Sequence, residues 1–434
     1  MKGVVASAAA ATWPACRKDG PEPKRPPNIV LIVADDLGID ALDLYGAEAV
    51  AMPRLARLAA EGMKFETVWS SPLCTPSRVQ LLSGRYPCHT GWAANIQERF
   101  EPGFVGERFV DPALPSIGRL LRDKGYATAV AGKWQLCRFD ERPDHPRELG
   151  FDEHCLWAWM REAAAEDDDR ELVQTSRYWN PSVVRGGVEE KLVGAYGPDV
   201  YTDFLIDFAR RHRDEAFFAY LPMALPHPPY QPTPAESDGS GDAVHSSDPE
   251  YFPGMLSYLD GLVGRVVDAI DELGLAEQTL VLFLSDNGTP SEIRTRWRGV
   301  PGSGGKGSLR EAGIRVPMIA RWPSVIPKGR SSEALVDLSD LMPTLAEVAG
   351  AELPEGTDGT SFLPALVGGD GLRSTMFAQL GDDKCLRGRR WKIHGDGRLF
   401  DLINDPFERN DVGGDPARSA LVEGLRGKLD DACR

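Results

Sequence analysis

The segment NIVLIVADDLG, Asn28 to Gly38, decides the fold. From Ile29 to Ala34 it is apolar without alternation, the pattern of a strand buried on both faces in a parallel sheet, and it ends in two adjacent carboxylates, Asp35 and Asp36. Similar runs recur downstream: YATAVAGKWQL (126–136) leads to Lys133, AFFAYLPMALPHPPY (216–230) to His227, and TLVLFLSDNG (279–288) to Asp286 and Asn287. Helical patterns alternate with them at 52–63, 116–125, 198–212 and 258–274. Strands alternating with helices predict an α/β fold, a large mixed and mostly parallel sheet sandwiched by helices. Each polar group then emerges at the C-terminal end of a strand, where open α/β sheets bind ligands.

A Gly-rich break, ELPEGTDGTSFLPALVGGDG (352–371), separates this body from a tail containing RWKIHGDGRLFDLINDPFERND (390–411), which reads as short strands, a tight turn and a closing helix. The organisation expected is an export signal and linker at 1–27, a catalytic domain at 28–370, and a small C-terminal α+β subdomain with an antiparallel sheet at 371–434. Between 138 and 197 the rhythm breaks, with an acidic run and the aromatics Trp157, Trp159, Tyr178 and Trp179; this stretch reads as insertion loops lining the substrate entrance. A second insertion, 231–250, reads as a surface loop.

The 434 residues carry a formal net charge of −16, which excludes broad binding to nucleic acid or anionic membranes and requires a local cationic pocket for any anionic substrate. No run approaches the length of a membrane-spanning helix. The first residues, with Lys2, an apolar stretch from Val4 to Ala11, Ala15 and Cys16, are similar to a short export signal ending in a lipidated cysteine, although Trp13 departs from that pattern. Export, to a periplasm or to a lipid anchor at Cys16, is the expectation, with a cytoplasmic protein as the alternative. The seven cysteines, Cys16, Cys74, Cys88, Cys137, Cys155, Cys385 and Cys433, include no C-x-x-C pair. If Cys16 and Cys74 have special fates, the remaining five leave at least one free thiol.

Cys74 opens SSPLCTPSRVQLLSGRYP (70–87), in which Thr75 and Pro76 suit the first positions of a helix and Gly84 its end. A helix N-terminus gathers unpaired N–H groups and positive potential, which favours anions and draws a thiol toward thiolate; Arg78, one turn on, points its guanidinium at the same spot. A buried structural cysteine is the competing reading. Asp35, Asp36, Asp286 and Asn287 are hard oxygen donors at two strand ends, a set that selects Ca²⁺ or Mg²⁺ over zinc; as single residues each could be an ordinary turn residue. Lys306 lies in GVPGSGGKGSLREAGIRVP (299–317), which fails the Walker A pattern at Val300 and Gly307, so its glycines are expected to let backbone and lysine approach an anion. His227, fixed between prolines, is a candidate general acid.

Together these residues resemble the type I sulfatases of the alkaline phosphatase superfamily. CTPSR fits the signature C-x-P-x-R, and the resemblance extends from NIVLIVADDLG through GKW, SDNG and GGKGSLREAGIRVP to LFDLINDPFERND, nearly the whole chain. It implies an alkaline phosphatase-like fold and a sulfatase acting on a sulfated small molecule or glycan. It also implies that a maturation enzyme oxidises Cys74 to formylglycine, whose gem-diol attacks sulfur to form a covalent sulfate ester. By motif, Asp35, Asp36, Asp286, Asn287 and the modified Cys74 would bind Ca²⁺ (or Mg²⁺), Lys133 and Lys306 would neutralise sulfate oxygens, and Arg78 would help activate the nucleophile. His227, with Lys306, would protonate the leaving alcohol. Members usually read GKWHLG where this chain reads GKWQLC, so Gln135 replaces a histidine that helps deprotonate the diol. Two alternatives follow: a phosphonate or phosphate ester hydrolase on the same scaffold, or a low-activity member that binds sulfated glycans. Arg294, Arg296 and Arg298 in EIRTRWRG (292–299) are candidates for holding a second sulfate or carboxylate, or else form a solvated loop.

Overall fold

The structure, a computed structural model, describes residues 25–101, 104–164 and 170–434. The export-signal reading and Cys16 lie outside the described residues. Ten strands form one sheet in the order Arg330–Asp337, Met63–Trp69, Arg315–Arg321, Thr279–Ser285, Asn28–Ala34, Phe217–Pro222, Ala127–Gly132, Glu153–Trp157, Ser182–Arg185 and Val188–Lys191. The five from Thr279–Ser285 to Glu153–Trp157 are mutually parallel, and antiparallel pairings lie on either side of them. The Asn28–Ala34 strand is buried at every position, as its unbroken apolar run requires.

One group of helices, Pro53–Glu61, Gly197–Arg211 and Phe252–Glu272, packs together on the sheet; Cys74–Ser83, Ile117–Asp123 and Leu341–Ala349 form a second group. The Cys74–Ser83 helix is buried along its whole length and ends at Gly84, whose left-handed backbone (φ 68°) accepts no Cβ without clashing with Met342. No helix among the described residues is long and apolar enough to cross a membrane.

The tail forms a four-stranded antiparallel sheet, Met376–Leu380, Asp383–Arg387, Trp391–His394 and Leu399–Asp401, followed by the helix Ser419–Asp431. It docks on the body through buried charge. Glu311 of the body accepts from Arg387 Nη1 of the tail at 2.5 Å and lies 3.4 Å from the fully buried Lys392 Nζ, which also meets Glu408 at 2.8 Å. Such groups are tolerated in an interior only when each charge finds a partner. A disulfide joins Cys88 to Cys433 across 345 residues, and Cys74, Cys137, Cys155 and Cys385 are free and buried.

One expectation needs correction. Residues 138–197 are not insertion loops: Glu153–Trp157, Ser182–Arg185 and Val188–Lys191 extend the main sheet, and Met160–Ala164 pairs with Arg170–Gln174 in a hairpin. These strands are only four or five residues long and lack a long apolar run, so no sequence period marked them. Trp157, Trp159, Tyr178 and Trp179 are all buried.

Candidate active site

Strand direction and register assemble the site. The parallel pairing of Ala34 with Ser285 sets Asp35 beside Asp286, and the neighbouring strands release Lys133 and the His227 segment at the same edge. Backbone bonds fix these exits: Lys133 N–H donates to Pro222 O at 2.7 Å, Asp35 N–H to Leu225 O at 2.9 Å and Asp286 N–H to Ala34 O at 3.1 Å. Met63–Trp69 points the same way and delivers Cys74 as the first residue of its helix; Arg78, four residues on, shares its face.

Oxygens and sulfur converge here. One ligand atom each from Asp35, Asp36, Cys74 and His227 lies within 4.8 Å of the others. Asp286 and Asn287 adjoin this group: Asp36 N–H donates to Asp286 Oδ1 at 3.1 Å, and Asn287 Nδ2 donates to Asp36 Oδ1 at 2.7 Å. Asn287 Oδ1 is buried without a hydrogen-bond partner, an acceptor left open beside three carboxylates. Burial and the charge of Asp35 push the Asp286 carboxyl up to about 7, despite Arg78. Three carboxylates and an orphaned amide oxygen suit a hard divalent cation, so the residues present fit the metal that the sequence implied.

The three central cations each face a carboxylate. Lys133 Nζ lies 2.9 and 2.7 Å from the two oxygens of Asp35, Lys306 Nζ 2.6 Å from Asp36 Oδ2, and Arg78 Nη2 2.8 Å from Asp286 Oδ2. Burial would raise Asp35, yet Lys133, His227 and Arg78 hold it well below the usual carboxylate range. Cys74 Sγ sits 3.3 Å from Lys133 Nζ, 3.4 Å from Asp35 and 3.6 Å from Asp36. Only 2% of Cys74 is exposed, and burial pushes its thiol up, with Asp286 and Asp35 adding to the effect against Lys133 and Lys306. The expected drift toward thiolate is therefore reversed: desolvation and nearby carboxylates outweigh the helix terminus and the lysines.

His227 Nε2 lies 3.6 Å from Asp36 Oδ2, the oxygen that also receives Lys306. Its Nδ1 is 2.8 Å from Arg177 Nη1 and 2.6 Å from Pro228 O. The first contact needs Nδ1 as acceptor and the second needs it as donor; the charged donor is the stronger partner, which leaves the proton on Nε2. Burial lowers His227 to about 3, with Lys133 and Arg177 adding and Asp36 opposing. Arg177 was not foreseen. It lies in an irregular segment, stacked 4.0 Å over Trp157, and only the fold brings it to His227.

Arg294, Arg296 and Arg298, the candidates for a second anion, stand on a hairpin beside the cavity that Lys306 lines. Arg294–Trp297 pairs with Val300–Ser303, and the alternation sends Thr295 and Trp297 into this cavity of about 440 Å³ and leaves Arg294 and Arg296 exposed, with Arg298 exposed in the turn. Arg296 bonds Gly299 O at 2.6 Å, and Arg298 lies over the Trp297 ring. Gly304 and Gly305, for their part, make room for protein backbone rather than for an anion: a Cβ on Gly304 would stand 2.1 Å from Thr289 O. Gln135, 4% exposed and in a left-handed backbone (φ 55°), keeps Oε1 without a partner.

The family model described as Sulfatase matches residues 27–351. Mouse steryl-sulfatase is 32% identical over 426 residues, covering 82% of this chain and 67% of that protein. Human arylsulfatase A is 34% identical, covering 81% and 70%, and human N-acetylgalactosamine-6-sulfatase is 31% identical, covering 82% and 69%. Among solved structures, Ps i-CgsB superposes with a TM-score of 0.78 at 27% identity, covering 94% of this chain and 93% of that one, and it is also known in complex with k-i-k-neocarrahexaose. A phosphonate monoester hydrolase of Agrobacterium radiobacter, at 19% identity and a TM-score of 0.65 with 94% and 95% covered, shares the fold.

Proposed function

The chain belongs to the sulfatase family and is a sulfuric ester hydrolase, and from that premise we propose that it cleaves the sulfate ester of a carbohydrate with a formylglycine made from Cys74. The observation that carries this reading is the placement of Cys74 Sγ within hydrogen-bonding reach of Asp35, Asp36 and Lys133 at one buried point. Oxidised by a maturation enzyme, position 74 would supply the hydroxyl that attacks sulfur. Held by Asp35, Asp36, Asp286, Asn287 and position 74, Ca²⁺ or Mg²⁺ would supply Lewis-acid polarisation.

The chain's own residues do the rest. Lys133 and Lys306 meet the sulfate oxygens as negative charge builds on them, and Arg78 supports the nucleophile from the next helical turn. His227 is neutral until an anionic ester lies beside it and favours the imidazolium, whose Nδ1–H is accepted by Pro228 O, 2.6 Å away, so that the Nε2 proton can be given up; Lys306, on the same Asp36 oxygen, already carries a proton. The two together protonate the leaving alcohol. Gln135 hydrogen-bonds but cannot take a proton, so release of sulfate is the step it slows.

The carbohydrate assignment draws support from relatives named for N-acetylgalactosamine 6-sulfate and from the neocarrahexaose complex of a structural neighbour. The Cys88–Cys433 disulfide supports export to an oxidising compartment. An intact-peptide mass of the segment holding position 74, from protein made in its native host, tests the nucleophile: an aldehyde is expected, and an unmodified thiol refutes it. Matched sulfate and phosphate esters of one alcohol test the substrate class, with faster hydrolysis of the sulfate expected.

A further inference from the structure

Beside His227 opens a second cleft, of about 520 Å³, bounded by the segment 173–182, Arg161, Lys191, Pro229, Gln231 and His245. It shares a wall with the reacting group, since Arg177 lines the cleft and also bonds His227 Nδ1 at 2.8 Å. Its charge is one-sided. Arg161, Arg177 and Lys191 line it, and no carboxylate does among the described residues, in a chain with 65 acidic and 49 basic side chains. The cavity of about 440 Å³ on the hairpin side differs, because Asp40, Glu311 and Glu408 there balance Lys306, Arg310 and Arg409.

Two buried groups in the second cleft lack partners. Arg177 is 5% exposed and its Nε–H donates to nothing, while Gln231 is 7% exposed and its Oε1 accepts from nothing. A desolvated, unspent guanidinium donor calls for an oxyanion, and an unspent amide oxygen for a hydroxyl. At the rim Arg161 and Lys191 are exposed, and Arg161 Nε stands 3.9 Å from Glu189.

Building on the reading of the reacting site given above, we propose that this cleft is a subsite for a second oxyanion, a carboxylate or sulfate on the sugar that carries the cleaved ester or adjoins it. The substrate class is then a polyanionic saccharide. Arg177 joins the two halves of the site: one nitrogen orients His227 and the other faces the second anion.

The test measures binding by titration calorimetry, using the full chain with Cys74→Ala so that nothing turns over. Three probes share one disaccharide: the first carries a single sulfate ester, the second adds a uronate carboxylate, and the third adds a second sulfate. Both doubly charged probes, or one of them, should bind more tightly than the first, and Arg161→Gln with Lys191→Gln should remove at least tenfold of that difference. Arg161→Lys should retain most of it. The probe that responds identifies the oxyanion. Equal effects on all three probes, no effect, or no preference for the doubly charged probes overturns the proposal. Absence of sulfate-ester hydrolysis by the unsubstituted protein would instead refute the activity assigned above and leave this binding result standing.

Discussion

Arg177 Nη1 lies 2.8 Å from His227 Nδ1, so a cation from an irregular segment fixes which face of the imidazole carries the proton. His227→Ala should lower kcat by about 10²–10⁴-fold for a sugar sulfate, the range of lost general acid catalysis. For 4-nitrophenyl sulfate, whose leaving group departs without a proton, the loss should be far smaller. Arg177→Gln should show the same leaving-group dependence at reduced size. Equal losses on both substrates would show that His227 serves binding instead of proton transfer.

Gln135→His restores a titratable group at a position now held by an amide with an unpartnered oxygen. The steady rate should rise while the initial burst of alcohol stays constant, because the change acts on sulfate release. A stopped-flow trace that leaves both phases unaltered would remove Gln135 from the rate-limiting step.

Removal of divalent metal should destabilise the fold as well as the activity. The carboxylates of Asp35, Asp36 and Asp286 repel one another when uncompensated, and a ligand bound only by the folded state adds about 2.7 kcal/mol at a hundredfold excess over its dissociation constant. Chelator-treated protein should regain melting temperature on adding Ca²⁺, and Asn287→Ala should shift that titration to higher concentration. An unchanged melting curve with Ca²⁺ would argue against the ligand set.

His145 gives a pH dependence of stability whose sign follows from its partners. Its Nδ1 accepts from Trp134 Nε1 at 3.0 Å and its Nε2 faces Val110 O at 2.7 Å, so the neutral ring is fully used. Burial lowers its pKa to about 4 from the ordinary 6.5. The unfolded chain therefore binds the proton first as pH falls, and stability is lost between about 6.5 and 4, by up to roughly 3 kcal/mol from this residue. Urea melts at pH 7 and pH 4.5 should show the loss, and His145→Gln should reduce the difference between them.

The Cys88–Cys433 bridge ties the closing helix to the body across 345 residues. Cys88→Ser should cost about 2–4 kcal/mol, a typical disulfide contribution. Limited proteolysis should then cut first within the Ser419–Asp431 helix, which buries only Leu429. Cleavage that begins elsewhere would show that the ion pairs of Glu311 and Lys392 hold the tail without the bridge.

Much of the site was legible because its residues stand at strand ends. An unbroken apolar run implies a buried parallel strand, and adjacent parallel strands in register bring their C-terminal residues together, so Asp35, Asp36, Lys133, His227, Asp286 and Asn287 converge as read. The motif C-T-P-S-R likewise set Cys74 and Arg78 on one helical face, since four residues make about one turn.

What remained for the tertiary structure was every property that depends on what surrounds a side chain. The Cys74 thiol is pushed up rather than down because burial and carboxylates from distant strands outweigh the local helix terminus. Arg294 and Arg296 stay in solvent because a hairpin alternation, invisible in the eight residues EIRTRWRG, sends Thr295 and Trp297 inward, and Arg298 lies in the turn. Arg177, its cleft and the pairing of Cys88 with Cys433 arise from segments without hydrophobic period, whose positions are set by long-range packing. The sequence by itself determined which chemistry converges at the sheet edge, through local patterns that fix strands and helix starts. Only the folded chain decided the protonation, the orientation and the placing of Arg177 beside His227, because desolvation and Coulomb interactions act between residues far apart in sequence.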